Sequence, residues 1–158
     1  MIKSSDIYRA MQNNNQIDLH AADLTTEMQI GLAGAGIHAG FPSPAQDYIE
    51  NGIDLNRELV KHPSSTFYGR VVGDSMTDAG IDSGDILVID KALEPRDGDM
   101  AVCFVDGEFA LKFIRYKGKR LFLCAANDNY ADIEVLPETQ FMVWGVVTYT
   151  IKKRCKHL

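Results

Sequence analysis

From Thr66 onward the chain alternates short apolar runs with breaks centred on Gly and Asp. The runs Thr66–Val72, Asp85–Asp90, Met100–Val105, Glu108–Tyr116, Arg120–Ala125, Asp132–Val135 and Phe141–Ile151 have the length and residue types of strands. Asp82-Ser83-Gly84-Asp85, Asp97-Gly98-Asp99 and Lys117-Gly118-Lys119 punctuate them with turn-forming residues. No helical period intervenes, so the pattern predicts an all-β or mainly β domain. Asp106-Gly107, between two of the runs, predicts a two-residue hairpin. In the strand after it, residues two apart share a face. Lys112 then points with Ala110 and Ile114, while Phe109, Leu111 and Phe113 take the other side. Such a strand is predicted to be buried on both faces, with a lysine inside it. The plainer reading of Lys112, a strand lysine with its ammonium in water, stands beside this one.

The first part of the chain has a different character. Met1 to about Ala39 is polar, rich in Asn and Gln at Gln12-Asn13-Asn14-Asn15-Gln16, and has little apolar residue with which to build a core. A short helix is expected over Asp23–Gln29. Gly31 to Gly40 is dense in glycine, but the strand before and the helix after that a phosphate loop requires are not predicted. A pliable segment of this kind serves as a linker, or as an extended peptide lying in a groove. For the second use, Ile37 offers an apolar anchor, Ala39 suits a shallow pocket, and Gly40 leaves the adjoining bond open to attack. Pro42 and Pro44 stiffen the exit. Asp54 is the expected N-cap of a short helix from Leu55 to about Lys61, closely followed by Pro63.

Two residues carry candidate chemistry. Ser75 lies in the tight polar turn Gly73-Asp74-Ser75-Met76. A serine hydroxyl becomes a useful nucleophile only when a base takes its proton, and Ser–Lys pairs are one established way of supplying that base. Taken alone, a Gly-x-Ser turn also reads as a serine bonding its own backbone. A lysine in a buried strand is expensive to keep charged, so its pKa falls and a neutral fraction appears near pH 7, as a general base needs. Ser75 and Lys112 are far apart in sequence, so only the fold brings them together.

Four motifs occur in order: Gly40-Phe41-Pro42-Ser43-Pro44-Ala45, Ile53-Asp54-Leu55-Asn56, Gly73-Asp74-Ser75-Met76 and Asp106-Gly107-Glu108-Phe109. On them the chain resembles the LexA/UmuD-type (S24) family of self-cleaving serine peptidases, from about Ala39 to about Val147. The resemblance implies a mainly β peptidase domain with a flexible N-terminal arm. It implies Ser75 as nucleophile, Lys112 as general base and Ala39–Gly40 as the bond cut. Residues 1–39 would be the arm removed, and residues 40–158 the peptidase and dimerisation domain. The partners it implies are a RecA filament on single-stranded DNA as activator, a second copy in a homodimer, and a Y-family (UmuC-like) polymerase for translesion synthesis in the SOS response. No metal or organic cofactor is implied. The stretch before Ala39 is longer than the arm of the UmuD-type members and does not match it.

Composition narrows the alternatives. The 158 residues, 46% hydrophobic and 24% charged, suffice for one well-buried domain and a short appendage. With 16 basic and 22 acidic side chains the net charge is −6, which argues against gripping a DNA backbone. The basic end Lys152-Lys153-Arg154-Cys155-Lys156-His157 reads as a solvated tail or a weak docking patch. Cys103, Cys124 and Cys155 are odd in number and lack metal-ligand spacing, as do His20, His38, His62 and His157. The Asp-rich turns lack the spacing of a calcium loop. No apolar stretch approaches the roughly 18 residues of a membrane helix, and no signal-peptide pattern opens the chain, so the expected location is the cytoplasm. A LexA-like repressor needs a helix-turn-helix ahead of the bond, for which the 39 residues show neither apolar helical period nor basic face. A signal-peptidase-like enzyme needs a membrane anchor. A non-catalytic β module that only binds partners is the reading from a different class.

Overall fold

Aspartate and glycine place the turns, and the apolar runs between them pair into one antiparallel sheet. The computed structural model describes residues 17–25, 29–33, 49–155 and 157. Ten strands are formed: β1 Ile17–Ala21, β2 Gln29–Ala33, β3 Ile49–Asp54, β4 Thr66–Val71, β5 Ile86–Asp90, β6 Met100–Val105, β7 Glu108–Lys117, β8 Arg120–Cys124, β9 Ile133–Val135 and β10 Phe141–Ile151. Among the described residues one α-helix, α1, spans Leu55–Leu59. The chain divides into two compact units, Asp23–Lys61 and the residues on either side of it.

The larger unit is an eight-stranded sheet in the order β1-β4-β5-β10-β6-β7-β8-β9, every neighbour antiparallel. The seven strands expected from Thr66 onward all form, each within one residue of its expected ends. The fold is mainly β, as the pattern predicts. The Asp106-Gly107 hairpin also forms: Val105 pairs with Glu108, and both turn residues have positive φ, 47° at Asp106 and 96° at Gly107. This is the mirror-image turn whose twist matches that of the flanking strands. It is clamped from β10's side, where Asp106 donates its N–H to the Gln140 carbonyl (2.8 Å) and its carboxylate accepts from the Gln140 N–H (2.9 Å).

Alternation along β6 and β7 sorts side chains to the two faces of the sheet. One face holds the main core, with Val102, Phe104, Phe109, Leu111 and Trp144 among its buried members. Its aromatic rings meet edge to face: Phe104–Phe109 at 5.6 Å, Phe109–Trp144 at 5.9 Å and Phe67–Trp144 at 5.0 Å between centroids. The opposite face carries a smaller cluster of Ala101, Cys103, Ile114 and Leu123. Lys112, across from Ala101 in the β6–β7 pairing, belongs to this second face. The middle of β7 is therefore covered on both sides, as its sequence predicts.

The other unit contains the antiparallel pair β2–β3 and the helix α1. Asp54 caps α1 as expected, its carboxylate accepting from the Asn56 N–H at 3.0 Å. The short helix expected over Asp23–Gln29 is not formed by the described residues of that span. Asp23–Thr25 is a bend in which the Asp23 carboxylate accepts from the Thr25 N–H (2.9 Å), and Gln29 opens β2. An aspartate that bonds the backbone two residues on stabilises a turn in competition with a helix. Strand β1, in a stretch with no strand signal of its own, joins the edge of the large sheet against β4.

Candidate active site

The end of β4 leads directly into the turn that carries Ser75. After Val71 the backbone reverses at Gly73, whose φ of 101° suits a residue without Cβ. Met76, only 2% exposed, is buried in the main core and anchors the far side of the turn, and a short 3-10 segment, Thr77–Ala79, follows. Ser75 is half-buried between these two fixed points.

A loop after β8 grips the same turn from above. Ala126 donates its N–H to the Ser75 carbonyl (2.9 Å), and Asp78 donates back to the Ala126 carbonyl (2.8 Å). The Asn127 side-chain amide donates to the Asp74 carbonyl at 2.9 Å. That carbonyl also receives the Thr77 hydroxyl at 3.1 Å. Tyr130, from the end of the loop, donates its hydroxyl to the Asp74 carboxylate. The phenol is consequently held above the usual tyrosine pKa, first by that hydrogen bond and then by the charge of Asp74. The backbone on both sides of Ser75 is thus pinned by contacts that no local sequence pattern announces.

Lys112 enters from β7. The residue is only 8% exposed. Burial pulls its pKa below the usual lysine range, and the neighbouring Cys103 thiol opposes this only in second place. Cys103 itself is fully buried, and desolvation pushes its pKa up to about 12, so it stays a neutral thiol. Tyr130 lies over the Lys112 ammonium, 5.3 Å from ring centroid to Nζ. Burial, with only a weak aromatic contact from Tyr130, leaves the amine easier to deprotonate than a solvated lysine.

Ser75 and Lys112 line the same cleft, of about 590 Å³. Gly73, Asp74 and Met76 contribute from the serine turn, Ala110 and Leu111 from β7, and Val72, Val105, Tyr130 and Ile133 supply apolar surface. The fold therefore brings together the two candidate residues that the sequence leaves far apart. The other two, Ala39 and Gly40, lie outside the described residues. Asn127 and Tyr130 were not singled out in the sequence. Their only signal is a polar, turn-rich Asn127-Asp128-Asn129-Tyr130 break after a strand, which looks like any other loop.

Among the described residues no group of three or more His, Cys, Asp or Glu side chains is placed to hold a metal ion, and the three cysteines are free. No helix among them is long and apolar enough to cross a membrane.

The pattern of S24-like peptidases matches residues 32–148. The chain belongs to the peptidase S24 family, of the LexA/UmuD type. Protein SamA of Salmonella typhimurium is 44% identical to it over 115 residues, covering 73% of this chain and 79% of SamA. Protein ImpA of Escherichia coli is 40% identical over 115 residues, 73% of this chain and 78% of ImpA. Protein MucA of Escherichia coli is 37% identical over 116 residues, 73% of this chain and 79% of MucA. Membership of the S24 family makes this a member of a serine peptidase family. The matched region contains the serine turn, the β6–β7 hairpin and Lys112, whereas β1 lies before it.

Proposed function

We propose that the protein is a self-cleaving serine peptidase in which Ser75 is the nucleophile, Lys112 the general base and Ala39–Gly40 the bond cut. The observation that carries this reading is the meeting of Ser75 and Lys112 in one cleft, with the lysine desolvated. Neutral Lys112 takes the proton of the Ser75 hydroxyl as its oxygen attacks the Ala39 carbonyl carbon. Backbone N–H groups of the serine turn receive the developing oxyanion, a contribution typically worth about 3–4 kcal/mol per donor. The lysine ammonium then returns its proton to the departing Gly40 amine as the peptide bond breaks. A water molecule, deprotonated by the same lysine, attacks the Ala39–Ser75 ester and frees the Ala39 carboxylate and the serine. Nothing in these steps calls for a cofactor.

The substrate is part of the same chain, so its effective concentration is high without any binding step. Control then rests on how much of the population holds the segment engaged, and a RecA filament on single-stranded DNA is the activator that favours the engaged state. Residues 1–39 are the arm removed, and residues 40–158 form the product, which pairs as a homodimer and serves a Y-family polymerase in translesion synthesis during the SOS response. The S24 membership and the likeness to SamA, ImpA and MucA support this assignment. The setting is cytoplasmic.

The test is mass spectrometry of purified protein after hours at about pH 10, where a lysine base is largely neutral. Fragments ending at Ala39 and beginning at Gly40 are expected, and neither is expected from Ser75→Ala. A chain still intact there, and also after RecA, ATP and single-stranded DNA are added at neutral pH, rejects the peptidase reading.

A further inference from the structure

The geometry points to Tyr130 as a positioning residue for the Ser75–Lys112 pair: its ring covers the Lys112 ammonium while its hydroxyl, bonded to Asp74, ties that cover to the turn carrying Ser75. The inference rests on the Ser75–Lys112 reading of the cleft.

Tyr130 contacts both halves of the site. Its hydroxyl reaches the residue just before the nucleophile, and its ring reaches the base. The ring is not there to complete a core. Tyr130 is 44% exposed and stands on the cleft wall, so burial of apolar surface does not account for its place. The loop beneath it is set for the purpose: the Asn127 carbonyl accepts from the Tyr130 N–H (3.0 Å), and the Asn127 amide holds the Asp74 carbonyl (2.9 Å). One residue of the loop thereby fixes the Asp74 backbone, and another fixes its carboxylate.

The ring acts on Lys112 in two opposed ways. Its face attracts an ammonium, which favours the charged lysine. Its body keeps water from the amine, which favours the neutral lysine. At 5.3 Å from the centroid the contact is close to the outer limit of about 6 Å for cation–π attraction. Desolvation is also the leading cause of the depressed lysine pKa. With the attraction weak at that range, exclusion of water by the ring is the larger of its two effects in this proposal, and taking the ring away makes Lys112 harder to deprotonate. The other titratable groups around the cleft are Cys103 on β6, a neutral thiol, Asp74 behind the Tyr130 hydroxyl, and Asp106 and Glu108 on the hairpin at the rim. None of them replaces the ring as a cover.

The experiment follows the titration of the lysine side chains by nitrogen NMR in the full-length Ser75→Ala chain, which stays uncut, with Lys112→Arg to assign the signal. In the Tyr130→Ala and Tyr130→Leu versions the Lys112 midpoint is expected to rise by about one pH unit, a roughly tenfold smaller neutral fraction at any pH below it. In the catalytic background the rising limb of the cleavage rate with pH moves by the same amount. Tyr130→Phe keeps the ring and loses the tether, so it leaves the limb in place and lowers the rate equally at every pH. Leucine keeps the position apolar, so folding of at least one ring-free variant can be secured. A Lys112 midpoint unchanged in both ring-free variants overturns the proposal, because a tyrosine that merely props the loop would leave it there. If the parent chain never cleaves, the peptidase reading fails by itself, and the titration still decides what Tyr130 does to Lys112.

Discussion

At the scale of single residues, the strongest constraint is the state of one amine. A protonated lysine has no lone pair to accept the Ser75 proton, so cleavage is expected to rise with pH through the depressed Lys112 pKa and to level off above it. Lys112→Arg keeps the charge but supplies a group that does not lose its proton in a protein. It is expected to lower the cleavage rate roughly 100-fold or more at every pH, measured by fragment appearance on a gel. A variant with parent-like rates would remove Lys112 from the mechanism. Asn127 makes a different kind of contribution. Asn127→Ala removes the donor to the Asp74 carbonyl and the acceptor for the Asn129 N–H. It is expected to destabilise the chain by about 1–2 kcal/mol in urea titrations. The Lys112 titration stays where it was, which separates this structural role from that of Tyr130. Ser75 and Lys112 were legible as candidates in the sequence because each stands against its local background, a serine in a glycine turn and a cation in an apolar strand. Asn127 and Tyr130 were not, because what makes them part of the site is contact with a turn more than fifty residues away.

At the scale of elements, the hairpin β6–β7 carries Lys112, the proposed base, into the cleft. Its register is set by the two positive-φ turn residues and by Phe109, fully buried against Phe104 and Trp144. A slip of one residue would turn Lys112 toward the main core and Leu111 toward the opposite face, so the register determines where the amine sits. Phe109→Ala is expected to cost about 3–5 kcal/mol of stability, read by denaturant unfolding. Gly107→Val puts a β-branched residue at a φ of 96° and is expected to destabilise the hairpin and to lower cleavage with it. A fully stable Gly107→Val chain would show that the turn does not hold the register. The seven strands from Thr66 onward were legible because Asp and Gly mark their ends and their apolar alternation has a period of two. Strands β1, β2 and β3 were not. β2 runs into the glycine-dense stretch from Gly31 that reads as a linker or a groove peptide, β3 is interrupted by Glu50-Asn51-Gly52, and β1 is five residues whose strand character comes from its neighbour β4.

At the scale of the whole molecule, β1 gives the proposed self-cleavage a structural consequence. It precedes the proposed bond, yet it pairs with β4 through five residues, Ile17 opposite Val71 to Ala21 opposite Phe67, and Leu19 packs on the main core. In the intact chain β1 is tethered, which holds it at an effective concentration of the order of mM with no binding step. Cutting at Ala39–Gly40 would turn that intramolecular strand into a separate peptide. After the cut the fragment is held by non-covalent contacts alone, the β1–β4 ladder with Leu19 on the core and the β2–β3 ladder that also spans the bond, and these must outweigh about 4–15 kcal/mol of lost translational and rotational freedom as well as the ordering of the peptide. At micromolar protein the strand is expected to leave. β4 would become a sheet edge with unpaired backbone groups, the kind of edge that accepts an added strand. The check is hydrogen exchange on Thr66–Val71 before and after cleavage, with uncut Ser75→Ala as reference, beside gel filtration of the cut sample. Faster exchange along β4 and separate elution of the N-terminal fragment are the expected results. Co-elution with unchanged protection would mean that scission alone leaves the sheet as it was, and that removal of the arm requires a competitor for the β4 edge.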